Sequence, residues 1–324
     1  MTQKSQIEKP VEQFFDLFQQ EFSQALRSDV ETIKTAIEKI HSSNGKHIRP
    51  LLLLLTAEAC GQATSLSVES AVLMELLHTA SLIHDDVIDE TKQRRGVPSL
   101  NAIYDNRIAV LVGDFILANT LIRSLETGET QIVTIIATLC RDMAEGEVKQ
   151  LENSKNVTLS EKDYFRMLEK KTAALLAACA QIGAITAGAD HELQMKCRKF
   201  GHLLGCSFQI KDDIFDYFDN HNIGKPNGND IREGKITLPL LYAFETTPVC
   251  EKAGYLEILN QRAFTPGNIA SLIEFAKERG GIEYAESRMM EFKRQAIDLI
   301  ETLPLSEAKK SLLLLADYLV DRVK

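Results

Sequence analysis

Two short acidic stretches carry the side chains best suited to chemistry. The first runs Leu82-Ile-His-Asp85-Asp86-Val-Ile-Asp89. The second, Phe208-Gln-Ile-Lys-Asp212-Asp213-Ile-Phe-Asp216, repeats the D-D-x-x-D spacing far downstream. On a helix, Asp85 and Asp89 are neighbours on one face and Asp86 lies roughly 100° round. Like charges so close repel one another. Taken alone, one such triplet reads as a solvated acidic face. Two of them, both bedded in apolar residues, need something to neutralise them. Hard divalent cations with oxygen ligands do that, and Mg2+ shares its shell between a few carboxylates and phosphate oxygens.

The elements that must hold these stretches read as helices. Residues 11–40 place Phe14, Phe15, Phe18, Phe22, Leu26, Ile33, Ile37 and Ile40 at helical spacing, with a break at Ser28-Asp29. This N-terminal pair (residues 1–40) is expected to pack on the body or on a partner subunit. Pro50 opens a helix that Gly61 closes, and Ser67–Ile88 is a long helical pattern ending in the first acidic stretch. A loop is expected at residues 94–98, then helices over 100–126, 130–152, 160–189 and 191–219. Helix resumes at Thr237 after a Gly-rich segment and continues to the end. No alternating strand pattern, βαβ rhythm, fixed-period repeat or dividing linker interrupts this. The expectation is one all-α domain spanning 1–324, a helical bundle around a central cavity.

Composition narrows the function classes. The net charge of −9 and the absence of a basic stripe argue against nucleic-acid binding. Binding an anion on such a chain needs metals or clustered Lys and Arg. The six cysteines show no CxxC or Cys/His zinc spacing and read as buried free thiols in a reducing, cytoplasmic setting. The first ten residues lack an apolar secretory core. The uncharged run Thr172 to Ala189 reads as a packed central helix, and no stable membrane insertion is expected.

Further residues fall into order around the acidic stretches: Gly45-Lys46-x-x-Arg49-Pro50, His84-Asp85-Asp86-x-x-Asp89, Arg94-Arg95-Gly96, Lys171-Thr172 and Phe208-Gln209-Ile210-x-Asp212-Asp213-x-x-Asp216. Gly224-Lys225-Pro226-x-Gly228-x-Asp230-x-x-Glu233-Gly234-Lys235 is the last. Singly each has a dull reading. His78, among Leu73, Met74, Leu76 and Leu77, would ordinarily be a satisfied core histidine. Lys170-Lys171 would be a solvated pair, Gln209 surface, and the glycines turns. An uncharged helix after Lys171 suggests an anion site at a helix start.

As an ordered set, from about Gly45 to Pro239, the chain resembles the trans-isoprenyl (polyprenyl) diphosphate synthases. The resemblance implies that an allylic diphosphate ionises and isopentenyl diphosphate attacks the carbocation. Proton loss then gives a product one isoprene unit longer, with the departing diphosphate as proton acceptor. It implies Asp85, Asp89 and Asp212 as Mg2+ ligands, with Asp86, Asp213 and Asp216 in direct or water-mediated support and three ions when substrate is bound. Arg94, Lys171, Thr172, Gln209, Lys225 and Lys235 would serve the allylic diphosphate. Lys46, Arg49, His78 and Arg95 would form a metal-free pocket for isopentenyl diphosphate, where Arg binds phosphate as a fork and Lys as a point charge. A homodimer is implied as well.

The helix leading to Asp85 is expected to act as a ruler. Ala80 and Ser81 lie roughly 6–8 Å below the metal site, and both are small where bulky aromatics would stop a growing tail. Leu77 and Met74 are the deeper candidates, Met74 about 20° from Asp85 in projection and roughly 16 Å lower. The expected product is a long chain, about C30 to C40 by this helical ruler. The rivals are a short-chain farnesyl or geranylgeranyl synthase, a terpene cyclase, a subunit active only with a partner chain, and a plain helical scaffold.

Overall fold

In a computed structural model, described over residues 3–42, 45–94, 96–153, 160–218 and 227–321, the chain is almost wholly helical. The helices are α1 (Gln3–Glu8), α2 (Glu12–Gln24), α3 (Glu31–Ser42), α4 (Ile48–Cys60), α5 (Ser65–Ile88), α6 (Leu100–Ile103), α7 (Asn106–Glu126) and α8 (Thr130–Asn153). They continue as α9 (Glu161–Leu168), α10 (Ala174–Thr186), α11 (His191–Phe215), α12 (Asn229–Arg232), α13 (Leu238–Thr246), α14 (Val249–Asn260), α15 (Pro266–Glu278), α16 (Gly281–Glu301) and α17 (Glu307–Asp321). Among the described residues the only extended segments are β1 (Gln93–Arg94) and β2 (Val97–Pro98), an antiparallel ribbon where a plain loop was expected. Gly96, at φ +79, supplies its turn.

The chain resolves into two compact units. The first comprises Met1–Cys140, Leu175–Gly201 and Leu299–Leu315. Within it α5 packs against α2, α4 and α7. A capping box fixes the start of α5, with the Thr64 hydroxyl accepting from the Ser67 N–H and the Ser67 side chain answering on the Thr64 N–H. Phe15, Phe18 and Phe22 bury one face of α2, as their spacing predicts. α4 is buried from Pro50 through Ala57. α10 crosses α4 so closely that a Cβ on Gly183 would stand 2.4 Å from the Leu53 carbonyl oxygen. Nearly every residue of α10 is buried, so the uncharged run is indeed a packed interior helix.

The second unit comprises Arg141–Ala174, His202–Asp298 and Ala316–Lys324. Its core gathers Ile210, Ile214 and Tyr217 with Leu238, Leu240, Leu272 and Phe275. Tyr242 stacks on Tyr284 at 4.2 Å, and the Arg288 guanidinium lies over Phe165 and Phe292.

By length and composition, α5 and α7 are the two described helices apolar enough to cross a membrane. The apolar window of α5 is 72% buried and that of α7 is 33% buried. The six cysteines are free thiols, with the Cys60 and Cys197 sulfurs 3.4 Å apart.

Candidate active site

Both acidic stretches terminate long helices, α5 at Ile88 and α11 at Phe215. The carbonyl end of a helix carries partial negative charge, so three carboxylates there are disfavoured twice over. In the first unit the helix settles one of them internally. Asp86 turns inward and is 6% exposed. Its Oδ1 accepts from Arg94 Nε at 2.9 Å and Nη2 at 2.7 Å, and its backbone carbonyl accepts from Asn101 and Thr91. That pairing pins β1 to the end of α5. Asp85 and Asp89 remain half-buried on one face, because the Asp89 N–H still bonds the Asp85 carbonyl at 2.8 Å.

The same division recurs in the second unit. Asp213 is 4% exposed and fully bonded, accepting the Tyr164 hydroxyl on Oδ2 at 2.5 Å and the Gln209 amide on Oδ1 at 2.9 Å. Asp212 and Asp216 are half-buried. Asp216 also caps α12, each carboxylate oxygen taking one N–H, from Asn229 and Asp230, at 3.0 Å. Burial, then the neighbouring Asp230, pushes the Asp213 carboxyl above its ordinary range. Burial and then Asp216 push Asp230 up to about 7. Asp212 adds to both effects, so four carboxylates of this unit raise one another. A cation relieves that repulsion.

Among the described residues no three His, Cys, Asp or Glu side chains stand close enough to enclose a metal by themselves. Hard, all-oxygen donors in ones and twos suit Mg2+, which completes its shell with water and phosphate oxygens. The donor set fits that ion.

Lys171 and Thr172 lie in a π-helical turn, Glu169–Ala173, that joins α9 to α10 without a break. The expected helix start is therefore absent. Ser160 caps the rod well upstream, and the amides at Lys171 sit inside a continuous helix. Lys171 instead meets α8: its Nζ lies 2.6 Å from Glu147 and 3.4 Å from the Gln150 amide oxygen. Thr172 donates to Gln209 Oε1 at 2.8 Å, so Thr172, Gln209 and Asp213 form one hydrogen-bonded line. Lys235 pairs with Glu233 at 2.7 Å.

A cleft in the first unit, enclosing about 780 Å³ of space partly open to solvent, is lined by His47, Glu75, His78, Asp86 and Arg94 among others. His78 and Arg94, expected to serve different diphosphates, share it. His47 Nδ1 and Glu75 Oε1 are 3.0 Å apart, and the His47 ring meets Phe18 and Phe22 edge-on. His47, at φ 48, opens α4, whose first turn bears Arg49; Arg49 and Glu75 both act on the buried Cys179 thiol. Lys46 is exposed beside them. Along α5, Ala80 is buried and Ser81 half-buried, with Leu77 and Met74 buried below them. Arg95 and Lys225 lie outside the described residues.

Sequence reasoning overlooked Glu147, Gln150, Tyr164, Glu75, His47 and Asp230 as site residues. The Gly146-Glu147-x-x-Gln150 spacing puts two polar groups one turn apart, a faint signal that looks like ordinary helix surface.

A family model described as polyprenyl synthetase matches residues 30–276. The chain is 38% identical over 298 residues to the octaprenyl diphosphate synthase of Haemophilus influenzae, covering 92% of this chain and 90% of that protein. The crystal structure of geranylgeranyl pyrophosphate synthase from Bacteroides thetaiotaomicron superposes with a TM-score of 0.86 at 39% identity, covering 99% of this chain and 100% of that one. A polyprenyl synthase from Caulobacter crescentus, solved with calcium and isoprenyl diphosphate, superposes at 0.92 with 31% identity and 98% coverage of both chains. By this agreement of motif, fold and sequence, the chain belongs to the polyprenyl synthetase family and is a trans-prenyltransferase.

Proposed function

We propose that this enzyme adds isopentenyl diphosphate units head to tail to an allylic diphosphate, building a long all-trans polyprenyl diphosphate. One observation carries the reading: in both helix-terminal D-D-x-x-D stretches the second Asp is buried and bonded to protein, while the first and last stay half-buried at the helix mouth. Asp85, Asp89 and Asp212 would hold Mg2+, with Asp216 in support. The metal, three ions by family resemblance, would neutralise charge developing on the leaving diphosphate. Lys171, held by Glu147, would present a fixed ammonium to that diphosphate. Arg94, Lys225 and Lys235 would add further charge. The His78 and Arg94 cleft, with Lys46, Arg49 and Arg95 near it in sequence, would seat isopentenyl diphosphate without metal.

Small Ala80 and Ser81 above Leu77 and Met74 support a product of about C30 to C40 by the helical ruler. Incubation with farnesyl and isopentenyl diphosphates, followed by sizing of the products by mass, tests this; termination at C15 or C20 refutes it. The 39%-identical geranylgeranyl pyrophosphate synthase, with the bulk of Leu77 and Met74, supports that shorter reading as the rival. The exposed face of α7, carrying Val110, Leu111, Leu121, Ile122 and Leu125, supports a homodimer. The enzyme would work in the cytoplasm as one all-helical catalytic domain.

A further inference from the structure

Tyr164 is the largest polar side chain in the second unit's core that the reaction, as described above, leaves without a task. It sits on α9 at 3% exposure among Leu168, Ala173, Cys206 and Ile210. Its hydroxyl donates to Asp213 Oδ2 at 2.5 Å. A buried hydroxyl and a buried carboxylate are costly to keep in an apolar core unless each satisfies the other. Phenylalanine would fill the same space without that cost.

The geometry around this contact is a clamp. Asp213 and Gln209 stand four residues apart on one face of α11. Gln209 donates to Asp213 Oδ1 at 2.9 Å and accepts from Thr172 at 2.8 Å. Tyr164 and Thr172 belong to the same continuous rod, α9 with the π turn. In a regular α-helix residues eight apart would lie about 80° out of line. The wider π turn reduces that offset, and both side chains reach α11. Thus α11 is gripped at two points one turn apart, immediately beside Asp212 and Asp216. Rotation of this helix end would swing both of those carboxylates.

We propose that Tyr164 is a positioning residue for the second aspartate stretch, aiming Asp212 and Asp216 through Asp213 without touching substrate. The proposal rests on the reading above that this stretch binds a metal-diphosphate.

The test uses the full-length protein with Tyr164→Phe, which removes one oxygen atom. Calorimetric binding of inorganic diphosphate in the presence of Mg2+ should weaken about tenfold, the scale of one hydrogen bond to a charged group. The Mg2+ concentration for half-maximal condensation should rise in parallel, while KM for isopentenyl diphosphate stays put. Combining Tyr164→Phe with Asp213→Asn should cost little more than either alone, because both act through one contact. Leu168→Ala, which opens a cavity in the same core, should lower Tm and leave Mg2+-diphosphate binding intact. If Tyr164→Phe behaves like Leu168→Ala, the residue is core packing and the proposal fails. If the wild-type chain binds no Mg2+-diphosphate, the functional reading falls and takes the proposal with it.

Discussion

Asp86→Asn separates the two roles that the first acidic stretch contains. The Asp86 side chain is 8% exposed and its partner Arg94 is 37% exposed, with two nitrogens on one carboxylate oxygen at 2.7 and 2.9 Å. Breaking a wholly buried pair costs about 3–5 kcal/mol, but water around Arg94 screens part of that. The hydrogen bonds themselves, made to a charged group, contribute about 1.5–3 kcal/mol. A loss of about 2 kcal/mol lowers Tm by roughly 4–8 °C in a cooperative unit of ordinary size. A double-mutant cycle with Arg94→Gln should return a coupling of about 1–2 kcal/mol. The Mg2+ concentration for half-maximal condensation should shift less than about threefold, since the carboxylate faces protein. Asp85→Asn should do the reverse, leaving Tm nearly unchanged while the Mg2+ requirement rises by about tenfold or more. Thermal melts and Mg2+ titrations of the two variants decide the matter. An Asp86→Asn protein with wild-type Tm and an Asp85-like Mg2+ requirement refutes the assignment of Asp86 to the protein interior.

Three further outcomes are expected. Ser81→Phe should shorten the product, seen by mass, because an aromatic ring then stands about 6 Å below Asp85 on the same helical face; an unchanged product length shows that the tail runs elsewhere. Gly183→Ala should destabilise by about 1–3 kcal/mol through overpacking against the Leu53 carbonyl, whereas Gly254→Ala, in open space on α14, should stabilise by about 0.5–1 kcal/mol. Burial holds the His41 imidazole below its ordinary 6.5, with Nε2 unpartnered against the edge of Phe22. Between that depressed value and 6.5 the unfolded chain binds more protons, so this stability is full above 6.5 and is lost as pH falls through the folded value. The Tm advantage of the wild type over His41→Gln should therefore be largest near neutrality and shrink on acidification; a constant difference refutes the assignment.

The helices were legible because their apolar residues recur at helical spacing. The phenylalanines of α2 and the Thr64 to Ile88 segment come out nearly where periodicity and capping put them. The pairing of Asp85 with Asp89 was legible for the same reason. The different fate of each second Asp was not, because D-D-x-x-D treats its two leading residues alike. A trace existed: Ile83 and Ile210, each three residues earlier, are buried, so Asp86 and Asp213 continue an apolar stripe. Lys171 was misread as lying at a helix start because a π turn leaves no periodic mark, and an uncharged run after two lysines resembles a new helix. Glu147 and Gln150 were invisible for another reason. Their partner Lys171 is on a different helix, and contacts between distant segments are written in packing rather than in spacing.

The π turn also restricts how this chain can change length. Losing one residue between Glu169 and Ala173 would close the wide turn into an ordinary one and rotate all that follows by about 100°. α10, apolar and enclosed around most of its circumference, has no second face to offer. An insertion would turn it equally far the other way. Surface loops absorb such indels, but here segment length is as constrained as residue identity, so homologous chains should align across Glu169–Ala173 without gaps.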